Sequence, residues 1–141
     1  MRGDFVGNKK QHLSYIQEVI NRMAKNSFAL KGWVVSLIVG ILVLARDKTD
    51  KTFFLLAYIP IIVFWGLDSY YLLQERLYRS LYNKVRLLKE EDIDYDMRIS
   101  RYEHKYPKNT FRSCLFSKTE FWFYMPLCIA LSIIVILTFC S

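Results

Sequence analysis

Two ionisable residues, Lys31 and Asp68, interrupt stretches that are otherwise almost entirely apolar. Only the short loop Arg46–Thr52 separates the two stretches, so they must be antiparallel neighbours. Lys31 lies 18 residues before Thr49 and Asp68 lies 19 after it, which predicts nearly the same depth for both charges. A charge among apolar helices is costly unless it is paired or hydrated. We therefore expect a Lys31–Asp68 ion pair; the alternative is that Lys31 reaches the surface and Asp68 meets interfacial water.

A second group of acidic residues has the spacing of a calcium ligand set. Asp92, Asp94, Asp96 and Glu103 occupy positions 1, 3, 5 and 12 of an EF-hand loop. The sharp turn of that loop needs Gly at position 6, where this chain has Met97. We therefore expect a solvated acidic stretch and no metal site.

No motif for catalysis or cofactor binding is present. The chain has no P-loop, GxSxG, HExxH or CxxC pattern, and its two His and three Cys are scattered. The sequence predicts no catalytic, metal-binding or cofactor-binding residue, so we do not expect an enzyme. The basic excess, 20 Lys and Arg against 13 Asp and Glu, indicates contact with membrane lipids and not with nucleic acid.

Three apolar stretches define the fold class. A helix needs about 20 mostly apolar residues to cross the hydrocarbon core of a bilayer. The stretches are Phe28–Ala45, Phe53–Leu73 and Phe121–Phe139. Lipid offers no partner for backbone polar groups, so helices are the expected form. The sequence predicts an all-α integral membrane protein with three transmembrane helices, amphipathic cytoplasmic helices and assembly into a ring.

The predicted organisation has four parts. Residues 1–26 form an amphipathic N-terminal helix, 27–73 a transmembrane hairpin, 74–120 a helical extension and loop, and 121–141 the third transmembrane helix. Asn26 and Ser27 can cap a fresh helix start, although no Pro separates the first two parts. No removable signal peptide is expected, since the first 26 residues lack an apolar core.

Two helix faces are suited to packing. Small residues at Gly32, Ser36 and Gly40 recur every four positions, which favours close approach of another helix. Chance small residues facing lipid are the alternative. After the second span, an apolar cytoplasmic seam runs along the predicted helix, and its partner is either the helix 9–25 or a neighbouring subunit. The seam consists of Leu77, Leu81, Val85 and Leu88.

Two sequence blocks resemble a known family. They are HLSYIQEVINRMAKNSFALKGW at 12–33 and FWGLDSYYLLQERLYRSLYNKV at 64–85, and FSKT at 116–119 leads into the last span. Together they resemble the RipA family of small bacterial inner-membrane proteins. The resemblance covers nearly the whole chain and implies an octameric ring with no known enzymatic chemistry. It assigns no functional role to Asp68, Tyr70, Tyr71, Glu75, Arg76 or Arg79 in the second block.

Three functions are compatible with these features. The first is a self-assembling protein whose oligomer perturbs or gates the inner membrane, as a pore-forming anti-phage defence effector does; that comparison rests on architecture alone. The second is a non-conducting scaffold or stress-adaptation protein. The third is an accessory subunit that recruits a cytoplasmic protein, for example an activating partner, through 1–26 and 74–120.

The charge distribution predicts the topology. Of the 20 basic residues, 17 lie before or at the start of the first span or in 74–120, and three lie in the loop 46–52. The positive-inside rule therefore places the N-terminus and 74–120 in the cytoplasm, and the loop and the C-terminus in the periplasm. Reporter fusions at residue 49 and at the C-terminus should both report the periplasm. A cytoplasmic signal at the C-terminus would show that the number of spans is even.

Overall fold

The computed structural model describes residues 2–46, 51–102 and 106–140, and within them all regular structure is helical. This confirms the predicted all-helical class. The four α-helices are α1 (Arg2–Ala45), α2 (Tyr58–Leu87), α3 (Phe111–Leu115) and α4 (Lys118–Cys140). Three short 3₁₀ helices accompany them, at Lys51–Ala57, Glu90–Asp92 and Ser100–Tyr102.

The first helix is continuous through the predicted boundary at residue 26. α1 has 44 residues, which corresponds to about 66 Å at 1.5 Å per residue. Residues 8–31 contain neither Gly nor Pro, so nothing interrupts the backbone hydrogen bonds there. Asn26 and Ser27 lie inside this helix and do not cap a new one. The first two predicted parts therefore share one rigid helix.

Three helical segments are long and apolar enough to span a membrane: Asn8–Ala45, Thr52–Leu87 and Lys118–Cys140. Many of their apolar side chains point outward, including Ile62, Trp122 and Leu137. In α2, Pro60 stands in the first turn, where its missing N–H leaves no helical hydrogen bond unmade. At the same end of α2, Tyr58 contacts Ser132 of α4 through their hydroxyl groups at 2.7 Å.

The interior consists of two separate hydrophobic cores. The core between the apolar halves of the helices has Val34, Ile38, Ala57, Ile61, Tyr124 and Leu131 as its buried members. The other core has Ile16, Ile20, Leu73, Leu77, Leu81, Val85, Ile93, Tyr102 and Cys114. It lies in what we call the platform, formed by the N-terminal half of α1, the C-terminal half of α2 and residues 88–102 and 106–115. In each core the buried helix residues recur at spacings of four or seven, as expected for buried helix faces.

The predicted seam on α2 lies in the platform core. Leu77, Leu81 and Val85 are buried, and Leu88 is half-buried just beyond the end of the helix. Of the two predicted partners, the structure places α1 of the same chain on this seam, through Ile16 and Ile20.

The acidic stretch of the platform pairs with arginine. Asp94 and Asp96 accept hydrogen bonds from the side chains of Arg98 and Arg101 at 2.9–3.3 Å. The backbone N–H of Arg98 is the main cause of the lowered pKa of Asp96. These contacts accompany a left-handed turn at Tyr95, whose φ is 51°. Glu103, the remaining residue of the EF-hand-like spacing, lies outside the described residues.

Leu81→Ala should destabilise the folded chain by about 2–5 kcal/mol, because it leaves a cavity in the platform core. Leu87→Ala is the matched control, since Leu87 lies on the same helix and is 79% exposed. Thermal unfolding of the detergent-purified variants measures the difference. Equal losses for the two variants would contradict the assignment of the seam to the core.

Candidate functional site

A group of polar side chains lies where the two hydrophobic cores meet. On α1, Lys31 falls between Ile20 of one core and Val34 of the other. On α2, Asp68 falls between Ile61 and Leu73 in the same way. We call Lys31, Asp68, Glu120 and Tyr124 the charged cluster. It joins all three apolar helices at one level.

The ammonium group of Lys31 is the centre of the charged cluster. Its Nζ contacts Asp68 Oδ2, Glu120 Oε1 at 3.2 Å and Ser27 Oγ at 3.3 Å. An ammonium has three protons to donate, so these three acceptors use its full capacity. The predicted partners Lys31 and Asp68 are thus in contact, but Lys31 serves a second carboxylate as well.

The carboxylates are more deeply buried than the ammonium. The side chains of Asp68 and Glu120 are 0% and 1% exposed, against 15% for Lys31. Tyr124 Oη donates a 3.1 Å hydrogen bond to Asp68 Oδ2. The second oxygens, Asp68 Oδ1 and Glu120 Oε2, have no hydrogen-bond partner among the described residues. Two buried acids therefore face one base, and each acid has an unused acceptor atom.

Aromatic rings cover the charged cluster on the α4 side. Trp65 stacks on Tyr124 with ring centroids 5.7 Å apart, and its Nε1 donates to the carbonyl of Leu115 at 3.0 Å. Lys31 Nζ lies 5.6 Å from the centroid of Phe123 and 6.0 Å from that of Tyr124, within the range of cation–π attraction. These rings exclude water and strengthen the electrostatic contacts beneath them.

Sequence reasoning missed Glu120 and Tyr124. The long segment 74–120 offers no short loop from which the depth of Glu120 can be counted, as was possible for Asp68. The local pattern Ser117-x-x-Glu120 indicates a capping box, in which the glutamate would bond the N–H of Ser117. In the structure that N–H donates to the carbonyl of Cys114, and the Glu120 carboxylate turns to Lys31. One signal was available in the sequence: Glu120 is an acidic residue at the edge of an apolar span, and another span carries Lys31 at its edge.

The small-residue stripe lies apart from the charged cluster. Gly32, Ser36 and Gly40 are exposed on the side of α1 that faces away from α2. A Cβ atom added at Gly32 or Gly40 would meet nothing within 4 Å. The stripe therefore takes no part in packing within the chain and is free for lipid or for another subunit.

Comparison with protein families, curated proteins and solved structures finds no match for this chain. The resemblance to the RipA family therefore stays a prediction. The features of the molecule that indicate a function are the charged cluster and the exposed surfaces of the chain.

The charged cluster predicts unequal effects for its members. Lys31→Ala leaves two carboxylates without their common base and should destabilise the fold by about 3–5 kcal/mol. Asp68→Ala leaves Lys31 paired with Glu120 and should therefore destabilise the fold by less than Lys31→Ala does. The double variant should lose less than the sum of the two single effects, because the partners are coupled.

Thermal unfolding in detergent measures these losses, with Lys25→Ala at an exposed position of α1 as the control. Additive losses would show that Lys31 and Asp68 are independent. Asp68 would then be a lone hydrated carboxylate at the mouth of an oligomeric pore.

Proposed function

We propose that this chain assembles with copies of itself in the bacterial inner membrane and that the assembly perturbs or gates that membrane. Its role would be that of a pore-forming anti-phage defence effector. In this proposal the N-terminus and the platform lie in the cytoplasm, and the loop 46–52 and the C-terminus lie in the periplasm.

The charged cluster is the observation that carries the proposal. Apolar helices pack in a bilayer without ionised groups, and a buried ion pair contributes little net stability compared with apolar residues of similar size. Charges among membrane helices are instead typical of ion pathways and gates. Because Lys31, Asp68 and Glu120 come from three different helices, a movement of one helix against the others that exceeds the reach of the Lys31 side chain breaks their contacts.

The exposed stripe supports self-assembly. Without side chains at Gly32 and Gly40, the backbone of a second helix can approach α1 closely, and such approach drives helix association in lipid. The outward direction of the stripe leaves it accessible to a neighbouring subunit. The resemblance to the RipA family favours an octamer, with membrane lipids around its outer surface.

A non-conducting scaffold that recruits a cytoplasmic partner is the second candidate. An open groove of about 820 Å³ in the platform favours it. The groove runs between the C-terminal part of α2 and the segment 106–109. Ser80, Lys84 and Leu88 line one wall, and Pro107 and Asn109 line the other. Asn109 holds that segment in place through Ser80 Oγ at 3.0 Å.

Induced expression with a membrane-potential dye separates the two candidates. Rapid depolarisation is expected for a gating assembly, and an unchanged potential for a scaffold. Gly40→Leu places a bulky side chain on the stripe and should abolish depolarisation and yield a smaller complex in size-exclusion chromatography.

Gly66→Leu is the matched control, because Gly66 also has open space around its Cβ position but lies on α2. It should depolarise the membrane as the unsubstituted chain does. If Gly40→Leu forms the same complex with the same thermal stability, the stripe faces lipid and the assembly uses another surface.

A further inference from the structure

We propose that Asp68 and Glu120 together bind one proton, so that the charged cluster is a proton-binding site among the apolar helices. The proton would lie on one of the two oxygens that have no partner, Asp68 Oδ1 or Glu120 Oε2. This inference stands whether or not the assembly conducts ions.

The charged cluster contains two acidic groups and one basic group. Two ionised carboxylates and one ammonium would leave a net charge of −1 on side chains that are 0%, 1% and 15% exposed. Burying an uncompensated charge costs several kcal/mol even after relaxation. One added proton makes the charged cluster neutral. Paired carboxylates that share a site commonly hold one proton between them for this reason.

The hydrogen-bond donors around the two carboxylates leave one oxygen of each without a partner among the described residues. Lys31 has no proton left for the free carboxylate oxygens, since its three donors already meet Ser27, Asp68 and Glu120. The Tyr124 hydroxyl donates to Asp68 Oδ2, which Lys31 also contacts. A proton is the smallest ligand that a free carboxylate oxygen can take, and it removes the excess negative charge. A metal cation would need several more oxygen ligands, and no group of three or more metal-ligating side chains occurs in the described part of the chain.

The surrounding groups do not supply the missing positive charge. On the α3 side, Glu120 faces the thiol of Cys114, and burial raises the pKa of that thiol, so it stays neutral. Arg76 of α2 acts on the same thiol and donates to the carbonyl of Lys108 at 2.9 Å. Lys118 lines a shallow cleft of about 470 Å³ between α1 and α4, with Thr119, Trp122 and Phe123. Lys31 also lines this cleft, which is therefore a path by which protons can exchange.

Bound protons make the stability of the fold depend on pH. Both carboxyl groups ionise near pH 4 in the unfolded chain, so at neutral pH the folded chain holds one proton more than the unfolded chain. The stability contributed by this proton is present at low pH and is lost as the pH rises. For one proton, the unfolding equilibrium constant should increase by up to about tenfold per pH unit.

The test uses the full chain purified in detergent. At neutral pH, its infrared spectrum should contain the C=O band of one protonated carboxylic acid, and that band should disappear at higher pH. Glu120→Gln reproduces the neutral form without a titrating proton. It should fold, lack the band and lose the fall in stability that the unsubstituted chain shows as the pH rises above about 4. The control is Glu18→Gln at an exposed position of α1, which should keep the acid band and the pH dependence of unfolding.

Three results would overturn the proposal. One is the absence of the acid band from the unsubstituted chain at neutral pH. Another is an unchanged band and pH dependence in Glu120→Gln. The last is stabilisation by sodium ions at constant ionic strength, which would assign the site to a metal cation. If Glu120→Gln does not fold, Asp68→Asn replaces it, because it pairs Lys31 with Glu120 alone and should also remove the band.

Discussion

The contact of one ammonium group with two carboxylates determines how the three long helices fit together. Lys31 of α1 reaches Asp68 of α2 and Glu120 of α4, so a single side chain fixes the relative depth of all three helices. Losing the ammonium would leave two buried carboxylates without a base. The arrangement of the helices therefore depends on it.

The position of this contact also separates two environments. On one side, most apolar side chains of the helices point outward, and the buried core is thin. On the other side, Ile16 and Ile20 of α1 cover the seam of α2, and Ile93, Tyr102 and Cys114 complete the core. Because α1 and α2 each run through both regions without interruption, the platform is rigidly connected to the apolar helices.

The charged cluster is buried inside the chain, whereas the small-residue stripe is exposed on its outer surface. A Cβ atom at Gly32 or Gly40 would have no neighbour within the described part of the chain, so the surface there is open to lipid or to another subunit. The charged cluster faces inward and is shielded by the aromatic rings of Trp65, Phe123 and Tyr124. A chain with these two features is suited to assemble through one surface and to change state through another site. This division is the physical basis of the proposed function.

The sequence alone determined the helical class, the three long apolar segments and the equal depth of Lys31 and Asp68. These follow from local rules, since apolar length predicts a span and a short loop makes two helices antiparallel. Tertiary structure alone brought Glu120 and Tyr124 to the same ammonium, and it directed the stripe away from the chain while covering the seam. The reason is that 51 residues lie between Asp68 and Glu120 and only those up to Leu87 continue α2, so the depth of Glu120 cannot be obtained by counting residues. Only the packed structure could show that two acids share one base.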